Sequence, residues 1–416
     1  MAEQIRIDPA LVEDRIMTLA RIGACHETGV CRPTYTQEWT EAQTLVECWA
    51  REAGMTTRYD AVGDLYGRVE GSGGGNVILS GSHIDSQMPG GRYDGALGVI
   101  AALTAIETLV ATYGQPKRPL EMISFCEEEG SAFSGARFWG SRAITGDIPD
   151  GEWDRIVGNS GDHIGKTIGQ VMQRLGYPPE RIAEARRDDI DVFIELHVEQ
   201  GPILEQQGLP VGVVNIINGT WGFQVTVQGI ANHAGARPMD MRNDPLVAAA
   251  EMVLAVNRNA LEMGRPAVST VGHLVVEPNG SAIIPDKVTF SIDCRHNDPT
   301  KLAELRGAHE RSVTELAAKH GVEVSWTNRP PLEPCVCDPD VVATLEAAAR
   351  EQRIPALTMP SGALHDTQRM AKVARVAMLF VQSRDGRSHT PAEFTTIEHA
   401  AAGIQVLAAA LHKLAY

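Results

Sequence analysis

The sequence has little positive charge for its size. Across 416 residues, 37 Lys and Arg stand against 53 Asp and Glu, a formal net charge of −16. Such a field repels phosphate backbones and anionic lipid surfaces, so nucleic acid and membrane are excluded as expected partners. Cysteine is also sparse. The seven, at 25, 31, 48, 126, 294, 335 and 337, are odd in number and contain no C-x-x-C pair, so neither a disulfide framework nor a zinc knuckle is expected. No apolar run approaches a membrane span without Gly or charge, and MAEQIRIDPALVEDRI is acidic where a secretory signal would be basic, which leads us to expect a cytoplasmic protein. Internal repeats are absent, and GSGGG at 71–75 is the longest low-complexity stretch.

What remains is an ordinary globular composition, 43% hydrophobic and 22% charged, in a chain long enough for two or three domains. Apolar residues at helical spacing in TQEWTEAQTLVECWAREA (36–53) predict the second of two helices over about 8–54. The strand-like NVILSGSHIDS, the helical ALGVIAALTAIETLVATYG and the strand-like LEMISFCEEEG then predict a βαβ unit and a mainly parallel sheet covered on both faces. After Gly201 the pattern changes. GFQVTVQGI and KVTFSIDCR alternate as half-buried strands, interleaved with helical runs, so 211–330 is read as an α+β domain inserted into a discontinuous α/β domain of 1–210 and 331–416. The proline-rich RPPLEPCVCDP is read as the return linker.

Candidate chemistry collects at predicted strand ends, where loops beyond the carboxyl edge of a parallel sheet are free to carry function. His83 and Asp85 close the first strand, Glu127–Glu129 the second, and His197, Glu199 and Gln200 a third. If the strand continues through the glutamates, Glu127 and Glu129 share a side; in a loop, neighbours can converge on one cation. Each residue has a plain alternative: Asp94 as a helix cap, His197 as a satisfied core histidine, His389 as a turn residue. Together they make three histidines and two or more acids, a set that suits zinc or manganese, with one carboxylate free to bridge two ions and another to carry a proton.

GSHIDS, GGRYDGALGV, EEEGSAF, ELHVEQGP, HAG with PMDMRND, and SHTPAE, in that order, resemble the hydantoinase/carbamoylase amidases of the dinuclear, M20-like metallopeptidase superfamily. That resemblance implies an aminopeptidase-like catalytic domain with an inserted ferredoxin-like lid through which a homodimer forms. It implies hydrolysis of a linear amide, in an N-carbamoyl or ureido acid or an allantoate-like compound, on two divalent ions, zinc or manganese, with cobalt or nickel as alternatives. His83 and His197 would bind one ion, Glu129 and His389 the other, and Asp94 both. Glu128 would be the general base, Asp85 would support His83, and His365 would polarise the scissile carbonyl. Gln200, His233 and Arg295 would meet a small substrate bearing a carboxylate. Three places depart from the family pattern: Ala282 in PNGSAIIP, Leu364 in SGALHD, and Ala236–Arg237 after HAG, which together remove one hydrogen bond and narrow the space beside the site. Rival readings are an aminoacylase or peptidase-like amidase, which would release no ammonia, and a non-catalytic metal-containing binding protein.

Overall fold

The structure, a computed structural model, describes residues 4–328 and 331–416. Arg329 and Pro330, where the predicted linker and the expected 330/331 junction fall, and the first three residues of the acidic N-terminus lie outside the described residues. The chain forms two compact units, Met1–Asn215 with Val336–Tyr416, and Ile216–Cys335.

In the first unit, α1 (Pro9–Leu19) starts at Asp8, whose carboxylate accepts from the Ala10 N–H, and α2 (Gln37–Glu52) starts at Thr36, whose hydroxyl accepts from the Trp39 N–H. There follow β1 (Thr56–Tyr59), β2 (Leu65–Val69), β3 (Val77–His83), α3 (Ala96–Tyr113), β4 (Leu120–Phe125), α4 (Trp139–Thr145), β5 (Ile190–Val198) and β6 (Val211–Ile217). The second unit holds β7 (Gly219–Gln228), α5 (Pro245–Met263), β8 (Val268–Thr270), β9 (Leu274–Glu277), β10 (Lys287–His296), α6 (Pro299–His320) and β11 (Glu323–Asn328). The first unit resumes with α7 (Pro339–Gln352), β12 (Ala356–Ser361), α8 (Asp366–Met370), β13 (Arg375–Val381) and α9 (Ile397–Ala415).

The central sheet is mixed. Its middle strands β13, β5, β3 and β4 are parallel, whereas β6 pairs antiparallel with β13 on one flank and, on the other, β2 pairs antiparallel with β4 and β1 with β2. Every residue of β3 and β4 is buried, because helices cover both faces of a parallel sheet. α3 packs on β3 and β4; among the described residues it is the one helix long and apolar enough to cross a membrane, and 67% of it is buried in this core. The first unit extends to Asn215 because β6 pairs with β13 and Asn215 accepts from the Cys337 N–H. One local disulfide, Cys25–Cys31, closes a short hairpin that the cysteine spacing had not suggested.

The second unit is an antiparallel sheet, β8–β10–β7–β11 with β9 also on β10, and α5 and α6 pack on it. β8 and β9 pair with successive stretches of β10 and so count as one interrupted strand, which makes the order β–α–β–β–α–β, the ferredoxin-like arrangement. Burial along β10 alternates without a break, as its sequence predicts for a strand with one face in the core.

Candidate active site

Four loops at the carboxyl edge of the parallel strands bring the site together within the first unit. His83 is the last residue of β3, Asp94 lies just before α3, Glu127–Glu129 follow β4, and His197 is near the end of β5. His389 comes from the loop before α9.

Asp94 is the centre. Its Oδ1 lies 3.1 Å from His197 Nε2 and 3.7 Å from His83 Nε2, and its Oδ2 lies 3.3 Å from His389 Nε2. Glu129 Oε2 is 3.5 Å from His389 Nε2. Two ligand sets therefore share one carboxylate, His83–Asp94–His197 and Asp94–Glu129–His389, each with its ligand atoms within 4.8 Å of one another. Asp94 is not the helix cap its position allowed. Gly95 takes the cap position of α3 with no side-chain bond, which leaves the carboxylate free to face the histidines. A Cβ on Gly95 would stand 2.4 Å from His83 Nε2, so glycine is what lets the loop pass the imidazole, and its φ of +62° is in the left-handed region.

The tautomers suit metal ligation. His83 Nδ1 donates to the Asp85 carbonyl at 3.0 Å and His197 Nδ1 to the Val198 carbonyl at 2.9 Å, so in each ring Nε2, which faces Asp94, is the nitrogen left to ligate a cation once it gives up its proton. The nearer support for His83 is thus the Asp85 carbonyl; the Asp85 carboxylate is 3.5 Å away and instead accepts from the backbone N–H groups of Glu128 (3.3 Å) and Glu129 (3.1 Å). β4 stops at Phe125, and Glu127 has a φ of +52°, which turns its side chain back to accept from the Ala132 and Phe133 N–H groups. Glu128 and Glu129 consequently both face the cluster, the loop alternative of the two the sequence allowed. Gln200 and His389 are likewise non-glycine residues at positive φ, +58° and +56°. Backbone strain of this kind concentrates at functional sites.

Electrostatics point the same way. Burial, then the charges of Asp94 and Glu128, push Glu129 up to about 8, and burial also raises Glu128. Burial opposes charge on His197, but Asp94 outweighs it and lifts the ring to about 9; Asp94 itself is held well below its usual range because the charge of His197 and the other histidines overcomes its burial. Buried acids whose ionisation is set by neighbouring imidazolium are groups that call for positive charge. The donor set, its tautomers and its charge all fit divalent cations.

Supporting contacts complete the ring. The Asp94 loop is held by Glu393, which accepts from the N–H groups of Tyr93 (2.8 Å) and Asp94 (2.9 Å). Ser388 donates to Asp94 Oδ2 at 2.5 Å, Gln200 Nε2 donates to the same oxygen at 2.8 Å, and Gln87 donates to Glu129 at 2.8 Å. Gln200, expected at the substrate, here holds the central carboxylate. His365 is buried at the start of α8, its ring 4.8 Å from that of His197 and its Nε2 3.0 Å from Ser361 Oγ; burial, then the charge of His197, keeps it neutral. A third set of possible ligands, Glu195–His197–His365, is otherwise engaged: Glu195 accepts from Ser82 Oγ (2.7 Å) and from Thr367 N (3.1 Å) and Oγ1 (2.6 Å). Glu199 is a helix anchor, accepting from the Ile203 and Leu204 N–H groups.

His233 and Arg295 belong to the second unit. His233 is exposed, and its Nδ1 accepts from the Gly235 and Ala236 N–H groups, while Arg295 on β10 donates to Asp293 at 2.8 Å. Ala282 lies beside this loop, its carbonyl accepting from the Ala234 N–H, and Arg237 turns away to the Met241 carbonyl. Leu364 is buried next to His365 in the first unit. Sequence reasoning did not single out Glu195, Gln87 or Ser388. For Ser388 and Glu393 the signal was present in SHTPAE, which had been read only for its histidine.

Comparison with known proteins agrees with this chemistry. Residues 79–413 match the peptidase family M20/M25/M40. The chain is 36% identical to the allantoate amidohydrolase of Bacillus subtilis (strain 168), over 97% of each protein. It is 36% identical to the N-carbamoyl-L-amino acid amidohydrolase of Geobacillus stearothermophilus, over 94% of this chain and 95% of that one. Among solved structures, a hydantoinase/carbamoylase family amidase from Burkholderia multivorans superposes with a TM-score of 0.88 at 34% identity, over 98% of each chain.

Proposed function

The chain belongs to peptidase family M20/M25/M40, a metal-dependent hydrolase family, and from that membership we propose that it hydrolyses the linear amide of an N-carbamoyl or ureido acid on a pair of divalent ions. The observation that carries the reading is Asp94, whose two oxygens face two different ligand sets. His83, His197 and Asp94 would hold one ion, Asp94, Glu129 and His389 the other, with zinc and manganese best matched to mixed imidazole and carboxylate donors. The substrate class follows the relatives, which are named for allantoate and N-carbamoyl-L-amino acids.

Bound ions would supply an acidified water and a Lewis acid for the carbonyl oxygen. The protein's part is positioning and proton transfer. Glu128, 3.7 Å from His83 and beside Glu129, takes the proton of the attacking water and returns it to the departing nitrogen. Burial favours its neutral form, which eases that exchange. Neutral His365 donates to the carbonyl oxygen as negative charge develops. For a carbamoyl substrate the products are ammonia, carbon dioxide and the amino acid.

Gln200, and His233 and Arg295 of the second unit, complete substrate binding in this reading, and a homodimer forms through the second unit. Support for the dimer is an exposed stripe on α5, where Val247, Leu254 and Leu261 recur every seventh residue at 46%, 63% and 72% exposure. Ammonia release separates this reaction from N-acyl hydrolysis: the metal-loaded enzyme should liberate ammonia from N-carbamoyl-L-amino acids or allantoate and lose that activity on chelation. Release of a carboxylic acid from N-acyl substrates without ammonia would replace the proposal with the aminoacylase reading.

A further inference from the structure

Glu195 is an acid in the middle of an apolar strand. It is fully buried on β5, between Ile194 and Leu196, where a carboxyl group without donors would be costly. Three donors from two distant segments meet it: Ser82 Oγ at 2.7 Å on Oε1, and Thr367 N and Oγ1 at 3.1 and 2.6 Å on Oε2. Ser82 and Thr367 are fully buried as well. Each of the three segments joined here also carries a group of the site: Ser82 precedes His83 on β3, Glu195 stands two residues before His197 on β5, and Thr367 follows His365 by two at the start of α8.

The contact with Thr367 decides how α8 begins. That helix has five residues, too few to hold itself, and His365 occupies its cap position without a side-chain bond to it. Glu195 supplies the missing cap from another element, accepting the Thr367 N–H that a capping side chain would otherwise take. The His365 ring is thereby left free of the helix, 4.8 Å from the His197 ring, with its Nε2 3.0 Å from Ser361 Oγ. We propose that Glu195 is a positioning residue for the reaction: by capping α8 in place of His365, it sets that imidazole for the carbonyl oxygen, at a fixed place relative to the strands that present His83 and His197. The inference rests on the proposed reaction and deepens it, because a donor to a developing oxyanion is effective only when it is held in place beforehand.

The test compares metal-loaded wild type, Glu195→Ala, Glu195→Gln, His365→Ala and the Glu195→Ala/His365→Ala double variant on N-carbamoyl-L-alanine. Metal content by elemental analysis and crystal structures of the two Glu195 variants are the readouts apart from turnover. Removing an oxyanion donor costs about 10²–10³ in kcat, so Glu195→Ala, which only displaces it, should lower kcat about 10- to 100-fold, with KM within a few-fold and metal content unchanged. The double variant should be no slower than His365→Ala alone, since both changes act through one ring. Glutamine can accept from the Thr367 N–H and donate to Ser82 Oγ, so Glu195→Gln should recover most of kcat and keep the His365 ring in place, whereas Glu195→Ala should shift it. Losses that multiply, a loss confined to KM, metal lost in proportion to activity, no rescue by glutamine, or an unmoved ring in Glu195→Ala would overturn the role. If Glu195→Ala does not fold, Thr367→Val reads the same link: a kcat loss of about 3- to 10-fold that vanishes in the His365→Ala background is expected, and no loss, or one that persists there, overturns it. A wild type that releases ammonia from neither N-carbamoyl-L-alanine nor allantoate defeats the proposed reaction itself, and the crystal structures then still decide the positioning.

Discussion

At the scale of single residues, the account turns on which oxygen or nitrogen faces which neighbour. In the proposed reaction Glu128 moves the proton and is not a ligand, so Glu128→Gln should keep its metal, measured by elemental analysis, while kcat falls by about 10²–10⁴. Substantial remaining turnover would remove the proton role. Gly95 is a second sensitive point. Gly95→Ala puts a methyl 2.4 Å from the His83 ring at a φ disfavoured for alanine, so it should lower metal affinity and melting temperature together. An alanine variant with full metal content and unchanged melting would show that the loop has more room than its contacts indicate. The five metal-ligand candidates were legible in the sequence because each is a titratable residue at the end of an apolar strand or in the loop beyond it, and burial of such a residue without a partner is costly. Gln87 and Glu195 were not, because an amide or an isolated charge carries no such signal until the chain has folded around it.

At the scale of elements, strands and helices followed their hydrophobic period. α2, α3, α5 and α6 appear where the helical spacing places them, and β7 and β10 alternate as their sequences do. The short α4 was missed, since seven residues are too few to show a period. The stop of β4 at Phe125 was also illegible, although it decides which glutamates face the cluster; it depends on Glu127 adopting a left-handed conformation that no side chain announces. The pairing of β7, β8 and β10 with α6 has a buried polar consequence. His309 on α6 lies between Asn259 and Ser269, and burial pushes its ring down to about 4. A depressed folded-state value means that its stabilising effect is complete above the ordinary histidine range and is lost as pH falls through 6.5 toward 4. Between pH 7 and 4 this group should cost the folded state about 3 kcal/mol. Urea titrations of wild type and His309→Gln should therefore converge or cross as the pH is lowered; parallel stabilities at every pH would mean that His309 charges without penalty.

At the scale of the whole molecule, the ordered motifs from GSHIDS to SHTPAE pointed to the family, and the match over residues 79–413 places the chain in it. What sequence could not show was the assembly of ligands from positions as distant as His83 and His389, which depends on the parallel order β13–β5–β3–β4 setting their loops on one edge. In the proposed dimer, Val247, Leu254 and Leu261 on α5 would form the interface. Leu254→Glu with Leu261→Glu should shift the particle from dimer to monomer in sedimentation, while leaving the first unit folded by circular dichroism. A wild-type monomer, or a variant that remains dimeric, would place the interface elsewhere.

The central claim is that one carboxylate, Asp94, joins two cation sites. Crystals of protein reconstituted with zinc or manganese, measured on either side of the metal absorption edge, test it most directly. We predict two anomalous peaks about 3.5–4 Å apart, one within bonding reach of His83 and His197, the other of Glu129 and His389, with an Asp94 oxygen on each. A single peak, or two that do not share Asp94, would contradict the account.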